Sequence, residues 1–511
     1  MTFRIIDAPP AAPVEAPAPR VGGTGLAPDL LDALVPSTAT EAAARLLRDP
    51  NTLVVTTGQQ PGLFTGPLYT VYKALSAAAL ASRLQQRWDR PVVPLFWLAG
   101  DDHDFAEANH AAWLAGDGSV TTFSLDDRDP AAPLTPMYRQ PLGPEVTSGL
   151  ELLAQTLPSS EYRRETLEWL GRHYRGDMTI GHSFGGALAE LLAPFGIVCL
   201  DSTHRAVKQA AIPFLLAALR TAPELDGDLA IRAAELSTAG LDPRVHVGDG
   251  ATLVLLEASQ GRDRLTVDRS SFATRRSHER YSYDDLRSLA QESPELFSPN
   301  VLLRPVVESA LLPTVAYVAG PGELRYLRLT DPIYRRLEVP VQRPVPRWSG
   351  LVVERRVDRV LEKFGASPEE LMEPDQALER RVVRAHMPAP ITQALASMRA
   401  TIDEGYDTLA SHGARIDATM AKPVEGSRHQ ALKAIDHIEK RLRGHLKQRE
   451  EVQLRQISHA REAVLPGGHP QERVLTVATY RARYGDAFLT AVSRAATAWY
   501  DAALEGTPIP S

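Results

Sequence analysis

Residues 53–67 read Leu-Val-Val-Thr-Thr-Gly-Gln-Gln-Pro-Gly-Leu-Phe-Thr-Gly-Pro, and residues 92–105 read Val-Val-Pro-Leu-Phe-Trp-Leu-Ala-Gly-Asp-Asp-His-Asp-Phe. Each opens as a short apolar run that reads as a buried strand, and the stretch from 68 to about 87 between them reads as a helix. Strand, loop, helix and strand in that order make a βαβ unit. Going outward, a helix over 187–195 leads to a third strand, Ile197-Val-Cys-Leu200, which ends on Asp201. Residues 252–257 and 264–268 read as strands of a small hairpin-like insertion, after which 301–305 and 314–318 are expected to resume the sheet. The pattern predicts an α/β protein with a Rossmann-like parallel-sheet core.

At 511 residues the chain is longer than the roughly 250–300 residues at which one core stops growing. We expect a Pro/Ala-rich arm and lead-in over 1–50, a core over 51–355 with insertions near 111–176 and 220–295, a helical domain over 356–470, and a returning C-terminal helix over 471–511. In the helical part Ile391, Leu395, Met398, Ile402, Tyr406 and Leu409 recur at three-four spacing, as in a coiled-coil seam. Pro423 and Gly426 are expected to break it before Leu432, Ile435, Ile438, Leu442 and Leu446 restart it, giving an antiparallel hairpin.

Hydrophobic residues at 44% and charged residues at 23% are ordinary globular usage, which excludes wholesale disorder. A net charge of −7 gives no overall attraction to nucleic acid or anionic lipid. The single cysteine, Cys199, excludes intrachain disulfides and suits a reducing compartment, so a cytoplasmic location is expected. No signal-peptide pattern and no membrane-spanning apolar run is read.

Ligands of open parallel sheets bind beyond the carboxyl ends of the strands, which makes the loops there the places to look for chemistry. The first loop carries Gly58, Gln59, Gln60, Gly62, Thr65 and Gly66 ahead of a helix with Tyr69 and Lys73 on one face. Glycines and a helix start would present free amides to a phosphate or carboxylate. The second loop gathers Asp101, Asp102, His103 and Asp104, with Glu107, Asn109 and His110 behind. So many acids repel one another unless a cation, an amine or tuned proton transfer uses them. On one helix, His103, Glu107 and His110 would also share a face and admit a divalent metal. A third group, Arg304, Gly320, Gly322, Glu323, Tyr326 and Arg347, mixes glycines with guanidinium forks suited to carboxylates. Gly181-His-Ser-Phe-Gly185 formally matches a nucleophile elbow, but no buried strand precedes it. Ser183 reads instead as a cap for the helix through Leu192.

Thr56-Thr-Gly-Gln-Gln-Pro-Gly-Leu-Phe-Thr-Gly-Pro-Leu-Tyr-Thr70 with Lys73, the stretch from Phe96 to His110, Leu303-Arg-Pro305, Ala319-Gly-Pro-Gly-Glu323 with Tyr326, and Pro466-Gly-Gly-His-Pro-Gln-Glu-Arg473 resemble the BshC family of cysteine ligases of bacillithiol synthesis. The resemblance implies a core similar to class I aminoacyl-tRNA synthetases and nucleotidylyltransferases, a coiled coil used for homodimerisation, and small-molecule substrates. The implied reaction is amide formation between the carboxyl of cysteine and the amine of glucosaminyl-malate, with ATP as the expected activator and Mg²⁺ as an optional helper. On this resemblance residues 58–67, Tyr69 and Lys73 would face nucleotide phosphates. Asp101, Asp102, His103 and Asp104, with Lys73, would handle amines and protons, while Asn109, His110, Asp201, Arg304, Gly320, Gly322, Glu323, Tyr326 and Arg347 would orient substrates. The synthetase signatures, a His-x-Gly-His box and a Lys-Met-Ser-Lys-Ser loop, are absent. Two alternatives remain at this stage: a metal-dependent hydrolase centred on His103, Glu107 and His110, and a non-catalytic nucleotide-binding scaffold whose helical hairpin recruits partners.

Overall fold

Strand β1, Leu53–Gln59, lies in the middle of a five-stranded sheet and is buried along nearly its whole length. In chain order the other strands are β2 (Val92–Leu98), β3 (Val198–Asp201), β4 (Thr314–Ala319) and β5 (Arg343–Pro346). Their spatial order is β5-β4-β1-β2-β3, and every pair is parallel. This is the Rossmann-like parallel sheet expected from the alternation of apolar runs and helices. The computed structural model describes residues 3–20, 25–385 and 387–506; the remaining parts of the N-terminal arm and of the C-terminal segment lie outside the described residues.

Between β1 and β2 runs helix α1, Leu68–Trp88. Its many alanines favour the helix, and it stops at Asp89, whose φ of 49° is left-handed. The C-terminal helix Asp486–Glu505 packs against α1, and its Tyr500 hydroxyl donates to the Pro346 carbonyl at the end of β5 at 2.8 Å. Burial on both faces is why β1 and β4 read as continuous apolar runs rather than alternating ones.

The turn that launches α1 is wound left-handed through Phe64 (φ 49°), Thr65 (φ 72°) and Gly66 (φ 68°). For the two non-glycine residues this conformation costs about 1–2 kcal/mol each. It is held by an aromatic plug. Phe64 is fully buried with its ring edge-on to Tyr174 at 5.2 Å. The Tyr174 hydroxyl accepts the Thr65 N–H at 2.7 Å and donates to the Gly62 carbonyl at 3.2 Å.

Two insertions interrupt the βαβ path. The first carries the antiparallel pair His110–Leu114 and Val120–Ser124 with helices Glu145–Thr156 and Arg163–His173. The second is an antiparallel sheet built on Ala251–Ala258 and Gly261–Asp268.

Three local expectations are corrected. Residues 301–305 are not a strand: Asn300 Oδ1 accepts the N–H groups of Leu302 and Leu303, and Pro305 opens helix α2, Arg304–Leu311, where its missing N–H is harmless. Ser183 lies buried inside helix Ile180–Leu192, and Thr179 is the residue that caps it. In the helical unit, the break falls at 414–417, before Pro423. Pro423 then sits in the first turn of Ala421–Arg449, where it removes no intrahelical bond.

By internal contacts, residues Val353–His469 form a unit separate from Ile5–Val352 with the segment from Pro470. Within it Ala389–Gly413 and Ala421–Arg449 pair as a helical hairpin, bridged by Arg399 to Asp436 and Glu439 and by Arg428 to Asp403. Among the described residues no helix is long and apolar enough to cross a membrane.

The plug yields a stability test. Tyr174→Phe strands the buried Thr65 N–H, so urea unfolding should show a loss of roughly 1–3 kcal/mol. Unchanged stability would mean the left-handed turn holds itself.

Candidate active site

In the sheet order β1 and β4 are neighbours whose crossovers leave in opposite directions, toward β2 on one side and β5 on the other. Such a switch point opens a crevice beyond the strand ends. A cavity of about 240 Å³ lies there. The end of β1 supplies Gly58, Gln59 and Gln60, and α1 supplies Tyr69 and Lys73. Ala99 and Asp102 follow β2, and Arg304 heads α2. Gly320, Gly322, Glu323 and Tyr326 belong to the turn after β4 and to helix α3, Pro321–Tyr326, while Arg347 follows β5. Arg473 reaches the rim from the returning chain. At Gly58 a Cβ would stand 2.7 Å from the Trp97 carbonyl oxygen, so only glycine lets β1 and β2 close this tightly.

Across the floor runs an ion-pair network. Lys73 Nζ meets Glu323 Oε2 at 2.7 Å and donates to the Gly58 carbonyl. Glu323 also accepts the Tyr317 hydroxyl at 2.6 Å and the Gly320 N–H at 2.8 Å. Burial alone would raise its carboxyl, but Lys73 and then Arg304 outweigh that and hold it below the usual carboxylate range. Arg304 donates to the Tyr317 hydroxyl at 3.1 Å and faces Glu308 at 3.4 Å. Arg347 grips Glu472 with both nitrogens, one of them at 2.8 Å. Each of these cations therefore has its own acid. Among the described residues, the cavity's charged groups left without an ion pair are the Asp102 carboxylate and the Arg473 guanidinium.

The anticipated phosphate loop divides. Gly58, Gln59, Gln60, Tyr69 and Lys73 line the cavity; Gly62, Thr65 and Gly66 do not. Thr65 is buried in the plug, and the first amide of α1, Leu68 N–H, is bound to the Leu475 carbonyl at 2.8 Å.

The acidic loop is also partly absorbed by structure. Asp101 pairs with the buried Lys208, and Asp104 caps the short helix Phe105–Ala108. His103 Nδ1 lies 3.2 Å from Arg262 Nη1. An arginine only donates, so this nitrogen is the acceptor, and burial and then Arg262 lower the imidazole pKa. Glu107 accepts the Gln60 amide at 2.6 Å, while the chain has already entered a strand at His110. His103, Glu107 and His110 thus share no helical face, and among the described residues no three His, Cys, Asp or Glu side chains are grouped to hold a metal. Asn109 bonds to Asp127 and Asp201 to Thr203, both away from the cavity. Cys199 is buried in β3, where burial pushes its thiol up to about 12.

Sequence reading gave no role to Arg473, Glu308, Tyr317, Lys208 or Glu472. Glu472 and Arg473 lie in the Pro466–Arg473 stretch and Glu308 stands one helical turn after Arg304, whereas Lys208 meets Asp101 across 107 residues.

Glu308 is fully buried, and that burial pushes its carboxyl up to about 7 although Arg304 pulls it down. In the unfolded chain it ionises near 4.3, so between roughly pH 4.3 and 7 the unfolded state loses the proton first and stability falls as pH rises, by up to roughly 4 kcal/mol. Thermal unfolding of Glu308→Gln across pH 5–8 should show the variant gaining on the parent as pH rises. Parallel pH profiles would contradict the assignment.

Two family models match the chain. The BshC N-terminal Rossmann-like domain of bacillithiol biosynthesis covers residues 31–348, and the BshC C-terminal coiled-coil domain covers 350–497. A protein named "Putative cysteine ligase BshC" from Heliobacterium modesticaldum is 32% identical over 464 residues, spanning 90% of this chain and 84% of that one. Its namesakes from Solibacter usitatus and Prosthecochloris aestuarii are 31% and 29% identical, each over 86% of this chain and 81% and 80% of theirs. With its parallel core, its helical hairpin unit and this similarity along most of its length, the chain belongs to the BshC family.

Proposed function

We propose that this protein is a ligase that joins the carboxyl group of cysteine to the glucosamine amine of glucosaminyl-malate, driven by ATP. The observation that carries the reading is the charge balance at the switch point. The buried cations each face an acid of their own, and one carboxylate and one guanidinium have no ion pair and are left to meet a ligand. An acceptor bearing an amine at one end and malate carboxylates at the other complements that pair, with the amine at Asp102 and the carboxylates toward Arg473.

Amide formation needs an activated carboxyl. A phosphoryl or adenylyl group from ATP is transferred to a carboxylate oxygen of cysteine with release of ADP or pyrophosphate, the acceptor nitrogen attacks the carbonyl carbon, and phosphate or AMP leaves. The protons shed by the nitrogen pass to a base, for which Asp102 is placed. The cavity lies below the roughly 300–1,000 Å³ of drug-sized ligand pockets, so nucleotide and acceptor do not both fit inside it. The nucleotide then extends past Gly322, where a Cβ would meet open space. With the Leu68 amide taken and Arg473 given to the acceptor's carboxylates, Mg²⁺ would supply the counter-charge for its phosphates. The inert Cys199 fits a reaction whose substrate and product carry the thiol, in a reducing cytoplasm. Homodimerisation through the hairpin belongs to the same reading, supported by the exposed Met398, Leu409 and Ile438.

Purified protein given cysteine, glucosaminyl-malate, ATP and Mg²⁺ should yield the amide-linked thiol by mass spectrometry. Asp102→Asn should lower kcat/KM about 100-fold or more, near 3 kcal/mol of transition-state stabilisation. Arg473→Ala should act mainly on the KM of the acceptor. Absence of product across nucleotides and metals would overturn the reading.

A further inference from the structure

Beside the switch-point cavity is a second chamber of about 100 Å³. Ala99, Asp102, Val301 and Arg304 line both spaces, so the two adjoin at a neck made by these residues. Past the neck the walls turn apolar, with Trp97, Val207, Ala211, Leu215 and Val307. Its polar groups are mostly committed. Lys208 is bound to Asp101 and to the Phe297 carbonyl at 2.8 Å, and Arg262 donates to Ser298 Oγ at 2.9 Å and the Pro299 carbonyl at 3.0 Å. Asp101 spends Oδ1 on Lys208, which leaves Oδ2 for a further donor.

We propose that this chamber seats the amino-acid donor of the reaction. At about 100 Å³ it is less than half the volume of the adjoining cavity, a size suited to one small side chain with its ammonium group and not to a long one. A thiol-sized side chain behaves as a small hydrophobe and lies on the Val207, Ala211 and Leu215 walls. The α-ammonium sits on Asp101 Oδ2, and the α-carboxylate projects through the neck beside Arg304. That places the reacting carboxyl next to Asp102 and the acceptor amine, and gives the consecutive aspartates separate tasks: Asp101 holds the donor's ammonium, Asp102 serves the acceptor's. The assignment rests on the ligase reading and adds to it the seat of one substrate.

Filling and widening the chamber test it. Ala211→Leu should raise the KM for cysteine about tenfold or more, as expected when a small hydrophobic seat is blocked, and leave the KM for glucosaminyl-malate unchanged. Val207→Ala should relax discrimination against homocysteine, and it decides the matter if Ala211→Leu does not fold. A rise confined to the acceptor KM, or no change in either variant, overturns the chamber assignment while leaving the ligase reading intact. If the parent protein makes no product, saturation-transfer NMR with L-cysteine separates the two ideas. A cysteine signal lost in Ala211→Leu keeps the chamber and sinks the ligase reading alone; no signal in the parent sinks both.

Discussion

The contact on which the site depends is the buried ion pair between Lys73 and Glu323. It joins the first turns of α1 to the turn after β4, the two elements that flank the switch point. Removing one partner of such a pair strands a charge in the interior, at a cost of roughly 3–5 kcal/mol. The pair also fixes backbone, since Lys73 holds the Gly58 carbonyl and Glu323 holds the Gly320 N–H. Both strand ends that form the cavity are thereby set by one interaction.

Beside that pair stand two further cations, Arg304 facing Glu308 on its own helix and Arg347 held by Glu472 of the returning chain. The consequence is electrostatic: a cavity with several guanidinium and ammonium groups on its walls carries little unbalanced charge of its own. What a ligand meets is the remainder, a carboxylate after β2 and a guanidinium from the returning chain. That remainder is the physical reason for preferring a bipolar substrate over a simple anion. The left-handed turn at Phe64 and Thr65 contributes in the same sense, because the plug that stabilises it occupies the Thr65 amide and so withholds it from a phosphate.

Much of the fold was legible because parallel strands buried on both faces leave uninterrupted apolar runs, as in 53–57 and 92–98. Residues 301–305 misled because Val-Leu-Leu is equally apolar in a turn; Asn300 and Pro305 were the local signals of a helix start. Lys73, Asp102, Arg304 and Glu323, singled out from the loops that follow strands, come together as lining of one cavity. Thr65 and Gly66 stand outside the cavity because Tyr174, 109 residues further on, takes the Thr65 amide and the Leu63 carbonyl takes that of Gly66. The proposed histidine face assumed a helix through residue 110, whereas the helix ends at Ala108. Pairings such as Arg347 with Glu472, 125 residues apart, leave no local trace, so which charges would remain unpaired could not be read without coordinates.

The most direct measurement is a crystal structure of the protein soaked with glucosaminyl-malate. The account predicts the amine within hydrogen-bond distance of Asp102, a malate carboxylate on Arg473, and Lys73 still paired with Glu323. An acceptor bound away from the ends of β1 and β4, or a Lys73–Glu323 pair broken to bind it, would contradict the account.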